Sequence, residues 1–151
     1  LSRRGLKKLS KYGDEVQIVV SEQGGSRPEY SLIHAQKPEV HDLLDSLKKE
    51  FKGITHLILV GIGGSNLGTE AVHSVLDTGG VTLHSIDTVS AHNLERLLSE
   101  LQGVKSVKKI AVCVISKSGN TAETLVNAGV LLNELEQKYT KAIFNQTLFI
   151  G

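Results

Sequence analysis

The feature that most constrains the fold is a regular alternation of short apolar runs with amphipathic segments. The run His56–Val60 is almost continuously apolar, which is typical of a parallel strand that helices cover on both faces. Further apolar runs follow, and apolar residues at helical spacing fill the segments between them. This alternation predicts an α/β fold, a three-layer α/β/α sandwich around a parallel, doubly wound sheet. The predicted strands cover residues 56–60, 81–86, 110–115 and 146–150, and the predicted helices cover 69–76, 93–101 and 122–139.

A chain of 151 residues suits one ordinary domain with an appendage. We assign residues 51–151 to the α/β domain and residues 1–50 to an N-terminal extension. The extension holds a predicted short strand over 16–20 and an amphipathic helix that begins at Pro38 and ends at Gly53. Because the chain has no methionine and stops directly after the last predicted strand, we expect a piece of a longer protein, with the domain truncated at its C-terminal end.

The composition limits the classes of binding partner and the cellular compartment that we expect. The 17 basic and 16 acidic residues nearly cancel, so the overall charge gives no reason for non-specific binding to nucleic acid. The longest apolar run is far too short to cross a bilayer, and the single cysteine, Cys113, suits a reducing compartment. The six histidines show no metal-ligand spacing. We therefore expect a soluble cytoplasmic protein with no metal, no cofactor, and no nucleic-acid or membrane partner.

The first polar loop, residues 61–68, follows the first predicted strand and reads Gly-Ile-Gly-Gly-Ser-Asn-Leu-Gly. Its glycines permit a tight turn and close approach of a ligand to the backbone. Free amides at the start of the next helix can donate hydrogen bonds to phosphate or hydroxyl oxygens, and Ser65 adds a hydroxyl. The loop thus predicts an anion or sugar site, while a plainer alternative stays open in which Ser65 or Asn66 only caps the helix.

The second polar loop, residues 116–121, follows the third predicted strand and reads Ser-Lys-Ser-Gly-Asn-Thr. Hydroxyl and amide groups surround one lysine, a combination that a phosphate monoester can use fully. Asn120 and Glu123 stand at capping-box spacing, which explains part of this polarity without a ligand. Capping does not explain the lysine and the hydroxyls, and these groups predict a phosphate site.

The two loops are predicted to lie side by side. In a doubly wound sheet of flavodoxin-like strand order, the first and third strands are neighbours, and the chain direction switches between them. Ligands of such sheets bind in the crevice that opens at this switch, outside the carboxyl ends of the strands. Both loops would flank that crevice.

Residues 60–68 and 115–124 resemble the two signatures of glucose-6-phosphate isomerases, and residues 51–151 are similar to the sugar isomerase (SIS) domain of that family. The resemblance implies an aldose-ketose isomerase of glycolysis and gluconeogenesis that interconverts glucose 6-phosphate and fructose 6-phosphate, and a cytoplasmic homodimer as the full-length protein. The family's catalytic glutamate, histidine and lysine come from later in the chain, so no catalytic residue is placed here. We expect this chain alone to bind the sugar phosphate without catalysis.

Carried over by position, the resemblance implies that Gly64 and Ser65 contact the sugar. The pair Gly119 and Asn120, which shapes the second loop, differs from the Phe-Thr of many family members. That difference bears on the substrate more than on the fold. The residues that would hold the phosphate are Ser116, Lys117, Ser118 and Thr121.

Two other functions compete with this interpretation. A dinucleotide-binding domain would use the glycines of the first loop and Asp87 at the end of the second strand, but Asn66 stands where its fingerprint requires a third glycine. A non-catalytic sugar-phosphate sensor would share the fold and both loops. It would carry a DNA-binding helix-turn-helix on the amino-terminal side, and residues 1–50 show no convincing one.

Overall fold

The computed structural model describes Gln17 and residues 37–76 and 79–151. The chain divides into two compact units, Leu1–Glu50 and Phe51–Gly151. In the first unit, helix α1 spans Pro38–Glu50, with an acidic first turn and lysines in the last turn, the charge order that a helix dipole favours. Of the strand predicted over 16–20 only Gln17 is described, and its backbone is helical. The prediction is wrong at that residue, and the rest of the segment lies outside the described residues.

The second unit contains a four-stranded parallel sheet of order β2-β1-β3-β4. The first and third strands are neighbours, so the predicted α/β fold and strand order are confirmed. Short 3-10 helices lie at Leu101–Gly103, Val107–Lys109 and Thr140–Gln146. The strands are β1 His56–Val60, β2 Thr82–Ile86, β3 Ile110–Ile115 and β4 Thr147–Ile150, and the helices between them are α2 Gly64–Val75, α3 Ala91–Glu100 and α4 Ala122–Tyr139.

The core lies between one face of this sheet and helices α3 and α4. Ile58 and Val112 from the strands are fully buried against Leu131 of α4 and Leu97 of α3. Burial of each such side chain stabilises the fold by about 1.5–3 kcal/mol. Tyr139, the last residue of α4, is also buried in this core, and its hydroxyl donates a 2.6 Å hydrogen bond to the carbonyl oxygen of Val104.

Helix α2 lies on the opposite face of the sheet. Its Asn66 donates a hydrogen bond to the side chain of Ser85 in β2. Successive side chains of a strand point to opposite faces of the sheet, and the next residue, Ile86, belongs to the core. Ser85 therefore points away from the core. Leu59 and Ala111 point to this second face and are also buried. The unit is thus the three-layer sandwich that the sequence predicts.

Two helices begin earlier than predicted. Helix α2 begins at Gly64 rather than at residue 69, because Gly63 takes the left-handed φ of 60° that lets the chain turn directly into the helix. Helix α3 begins at Ala91 rather than at residue 93, because the Ser90 hydroxyl caps it by accepting a hydrogen bond from the Asn93 amide. The first shift places Gly64 and Ser65 inside a helix turn instead of a loop.

Candidate functional site

The first polar loop leads from β1 into the first turn of α2. Gly61 directly follows the strand, and its N–H donates a 3.1 Å hydrogen bond to the carbonyl oxygen of Ile86 in β2. Gly63 is the N-cap residue of α2, and no side chain accepts a hydrogen bond in the capping position. The alternative role of Ser65 or Asn66 as a helix cap is therefore wrong.

The start of α2 presents a free donor. Within the described part of the chain, nothing accepts a hydrogen bond from the Gly64 amide, whereas the amides of Ser65 and Asn66 are used in the turn, at 3.4 and 3.1 Å. Gly64 is exposed and Ser65 is half-buried. An exposed N–H at the positive end of a helix dipole favours an anion or a hydroxyl oxygen.

The second polar loop is closed by its own side chains. The buried Ser116 donates a 3.1 Å hydrogen bond from its hydroxyl to that of Thr121, and its carbonyl oxygen accepts from the Gly119 amide at 3.0 Å. The Ser118 hydroxyl accepts from the Asn120 amide at 3.2 Å, and Gly119 has a left-handed φ of 67°. The three hydroxyls therefore shape the loop, a role that the sequence interpretation did not give them.

Lys117 is the charged residue of this loop. It is exposed, and its ammonium forms neither a hydrogen bond nor an ion pair within the residues that the structure describes. Thr121 is the N-cap residue of α4, and its side chain forms no capping hydrogen bond. The predicted capping box of Asn120 and Glu123 is therefore wrong. Capping therefore accounts for none of the polarity in this loop.

The end of β4 supports the second loop from the side. The Ser116 amide donates a 2.9 Å hydrogen bond to the carbonyl oxygen of Ile150. Gly151 lies against the start of this loop, because a Cβ on Gly151 would be 2.7 Å from the Ser116 carbonyl oxygen. The loop thus begins on a backbone that is fixed by the neighbouring strand.

The two loops meet at Gly61. A Cβ on this residue would lie 3.0 Å from the Cβ of Ser65 and 3.0 Å from the carbonyl oxygen of Ile115, the last residue before the second loop. Ser65 and Ile115 are therefore no more than about 6 Å apart at these atoms. The structure brings the start of α2 and the start of the second loop to one edge of the sheet, at the carboxyl ends of β1 and β3.

The sequence interpretation gave no specific role to Gly61 or Ser85. The demand for glycine at position 61 comes from the close approach of Asn66, Ser65 and the Ile115 carbonyl oxygen, a set of contacts that only the folded chain brings together. Ser85 had a weak signal, a small polar residue at a position of β2 that a covered parallel strand usually fills with an apolar one.

Two cavities lie away from the loops. One, of about 210 Å³, lies between α3 and α4 and has a mostly apolar lining that includes Ile86 and Asn127. The other, of about 240 Å³, is polar and lies beside β2 and α3, around His84 and Glu100. No residue of either polar loop lines them. Among the described residues, no cluster of three or more histidine, cysteine, aspartate or glutamate side chains could hold a metal ion.

Comparison with known proteins gives a family match over most of the chain. The model of the family described as phosphoglucose isomerase matches residues 8–149. A glucose-6-phosphate isomerase of Thermus thermophilus is 39% identical over 83 residues, which cover 55% of this chain and 19% of that protein. A glucose-6-phosphate isomerase of the Aster yellows witches'-broom phytoplasma is 33% identical over 123 residues, covering 78% of this chain and 28% of that protein.

Solved structures agree on the fold. The crystal structure of a hypothetical protein, also from Thermus thermophilus, superposes with a TM-score of 0.72 and 25% identity, over 97% of this chain and 35% of that one. A glucose-6-phosphate isomerase from Chlamydia trachomatis superposes with a TM-score of 0.65 and 22% identity, over 86% of this chain and 25% of that one. The chain thus spans about a fifth to a third of the length of these proteins. None of its described helices is both long and apolar enough to cross a membrane.

Proposed function

Because the chain belongs to the phosphoglucose isomerase family, we propose that its two polar loops bind the sugar and the phosphate of glucose 6-phosphate and fructose 6-phosphate. The observation that carries the proposal is the close approach of the loops at Gly61. A ligand with a sugar at one end and a phosphate at the other needs two different polar half-sites within a few ångströms. The two sides of Gly61 offer that arrangement.

Each loop suits one end of the ligand. Lys117 supplies the positive charge for the phosphate, and Ser118 keeps its hydroxyl proton free to donate, because its oxygen is the acceptor in its loop hydrogen bond. Ser116 and Thr121 sit on either side of the turn that Gly119 and Asn120 complete. The free amide of Gly64 and the hydroxyl of Ser65 face the sugar hydroxyls in this proposal.

The reaction of the full-length protein is then an aldose-ketose isomerisation. It moves a proton between C2 and C1 of the open-chain sugar through an enediol, and a carboxylate must carry that proton. We assign no such base to this chain, whose part is to hold the substrate by its phosphate and its hydroxyls. The catalytic groups belong to the remainder of the longer family protein.

We extend the proposal to the cellular setting of the full-length protein. We place the full-length protein in glycolysis and gluconeogenesis, as a cytoplasmic homodimer built around an SIS domain, without a nucleic-acid partner. The free thiol of Cys113 supports a reducing compartment, and the nearly balanced charge supports the absence of a nucleic-acid partner. Light scattering of the full-length protein and fractionation of its host cells test the dimer and the compartment.

The direct test compares two exposed lysines at opposite edges of the sheet. Lys117 follows the carboxyl end of β3, and Lys108 precedes its amino end. We expect Lys117→Ala to weaken fructose 6-phosphate binding about tenfold, the lower end for a charged hydrogen bond because the site is exposed to solvent. Lys108→Ala should bind as the unchanged chain does. NMR titration measures both dissociation constants.

Two results would count against the proposal. Equal affinity of the Lys117→Ala and Lys108→Ala variants would remove the second loop from the site. Binding of NAD in preference to fructose 6-phosphate would support a dinucleotide site instead. A coupled assay on the purified chain, cleared of host isomerase, tests the further statement that binding occurs here without catalysis.

A further inference from the structure

The first polar loop contains one buried polar side chain. Asn66, in the first turn of α2, is 1% exposed, and its Nδ2 donates a 2.9 Å hydrogen bond to the hydroxyl of Ser85 in β2. Its Oδ1 is also buried and has no hydrogen-bond partner within the described part of the chain. A buried polar group with an unused acceptor is costly, so its presence in a tight turn calls for a physical reason.

The position of Oδ1 shows what this side chain packs against. This oxygen lies against the backbone of Gly61, only 2.7 Å from where a Cβ would be, on the same residue that Ser65 and the Ile115 carbonyl oxygen approach. The amide of Asn66 therefore occupies the point at which the two loops meet.

The loop has few other attachments. No side chain caps α2 at Gly63, and the hydrogen bond of the Ser65 amide to Ile62 is long, at 3.4 Å. Within the described residues, the hydrogen bonds from this loop to the sheet run from the Gly61 amide to Ile86 and from the Asn66 side chain to Ser85, and both lead to β2. Asn66 is thus the side chain that holds the first turn of α2 against the edge strand.

We propose that Asn66, held by Ser85, is the positioning residue of the sugar-phosphate site. It touches neither sugar nor phosphate, and it sets where the Gly64 amide and the Ser65 hydroxyl stand relative to the second loop. This inference rests on the proposed function. Loss of the Ser85 hydroxyl should therefore affect the sugar half-site and leave the phosphate half-site intact.

The test titrates two ligands against four forms of the chain. Fructose 6-phosphate uses both loops in this scheme, whereas inorganic phosphate uses the second loop alone. We expect Ser85→Ala to weaken fructose 6-phosphate about three- to tenfold, the range of one hydrogen bond, without changing the affinity for inorganic phosphate. Ser85→Thr keeps the hydroxyl on a residue suited to a strand and should bind as the unchanged chain does. Ser74→Ala, which removes an exposed hydroxyl farther along α2, is the matched control.

The outcomes separate the inference from the proposed function. Unchanged fructose 6-phosphate affinity in Ser85→Ala, or an equal loss for both ligands, would overturn the positioning role alone. Failure of the unchanged chain to bind either ligand would overturn the proposed function and this inference with it.

A second measurement needs no variant and observes the Asn66 side-chain amide in the NMR spectrum of the free chain. We expect its protons to exchange slowly with solvent, and rapid exchange would contradict the buried hydrogen bond to Ser85.

Discussion

Alanine at Gly61 and alanine at Gly68 should change the stability of the chain in opposite directions. Both residues belong to the same glycine-rich segment, and neither has a φ in the left-handed region. Alanine is therefore acceptable to the backbone at both positions, and only the space around the new methyl group differs. At Gly68 nothing lies within 4 Å of that methyl group, whereas at Gly61 three atoms lie at 3.0 Å or less.

The magnitude at Gly61 depends on which neighbours can move. The Asn66 oxygen, 2.7 Å away, belongs to a side chain that could turn aside only by losing its hydrogen bond to Ser85. The Ile115 carbonyl oxygen, 3.0 Å away, is backbone of β3 and cannot retreat without moving the strand. We expect Gly61→Ala to destabilise the chain by about 2 kcal/mol, within the usual range for overpacking. Gly68→Ala lies within α2 and should stabilise it by about 0.5–1 kcal/mol.

Urea unfolding followed by far-UV circular dichroism measures both changes. The two variants should have similar m-values and midpoints on opposite sides of that of the unchanged chain. In a domain of this size, each kcal/mol also shifts the melting temperature by about 4–8 °C. A Gly61→Ala variant as stable as the unchanged chain would refute the close approach of the two loops, and with it the geometric basis of the proposed site.

Two further predictions concern parts of the fold outside the loops. Burial lowers the pKa of His84 in spite of the Glu100 carboxylate 3.2 Å away, and His56 and Arg96 act in the same direction as burial. The unfolded chain therefore takes up the proton first, so stability should be full above about pH 6.5 and fall as the pH drops through the folded-state pKa. Melting temperatures between pH 5 and 8 should show this slope, and His84→Gln should flatten it. Tyr139→Phe removes the hydrogen bond to Val104 and should cost about 1–2 kcal/mol in urea unfolding, with no change in fructose 6-phosphate affinity; a variant as stable as the unchanged chain would contradict this.

The central strands and the longest helix were predictable because their signals are local. The predicted bounds of β1, β3 and α4 match the structure, since continuous buried apolar runs and a long helical period leave little choice. The beginnings of α2 and α3 were not predicted correctly. A glycine run is typical of a loop, and only the left-handed φ of Gly63 lets the helix begin at Gly64. The cap of α3 by Ser90 depends on the side-chain orientation that the folded chain selects.

The candidate site was predictable in its position and not in its construction. Two polar loops after alternate strands of a doubly wound sheet indicate a shared edge, and the strand order confirms that β1 and β3 are neighbours. The contact between Asn66 and Ser85 depends on the register of β1 against β2, which no local pattern specifies. The hydrogen bond between Ser116 and Thr121 depends likewise on a turn that the glycine at 119 completes.

The attachments of the two loops explain how a site at the edge of a sheet can be preorganised. The first loop is tied to β2 through Gly61 and Asn66, and the second is tied to β4 through the Ser116 amide. Each loop is therefore held by the strand on its outer side, while the two loops approach each other above the pair β1 and β3. A ligand that contacts both loops therefore binds to loops that the sheet already holds in place. Its binding has little conformational entropy of the loops to remove. The rigidity that favours affinity thus comes from the outer strands, which carry none of the proposed ligand contacts.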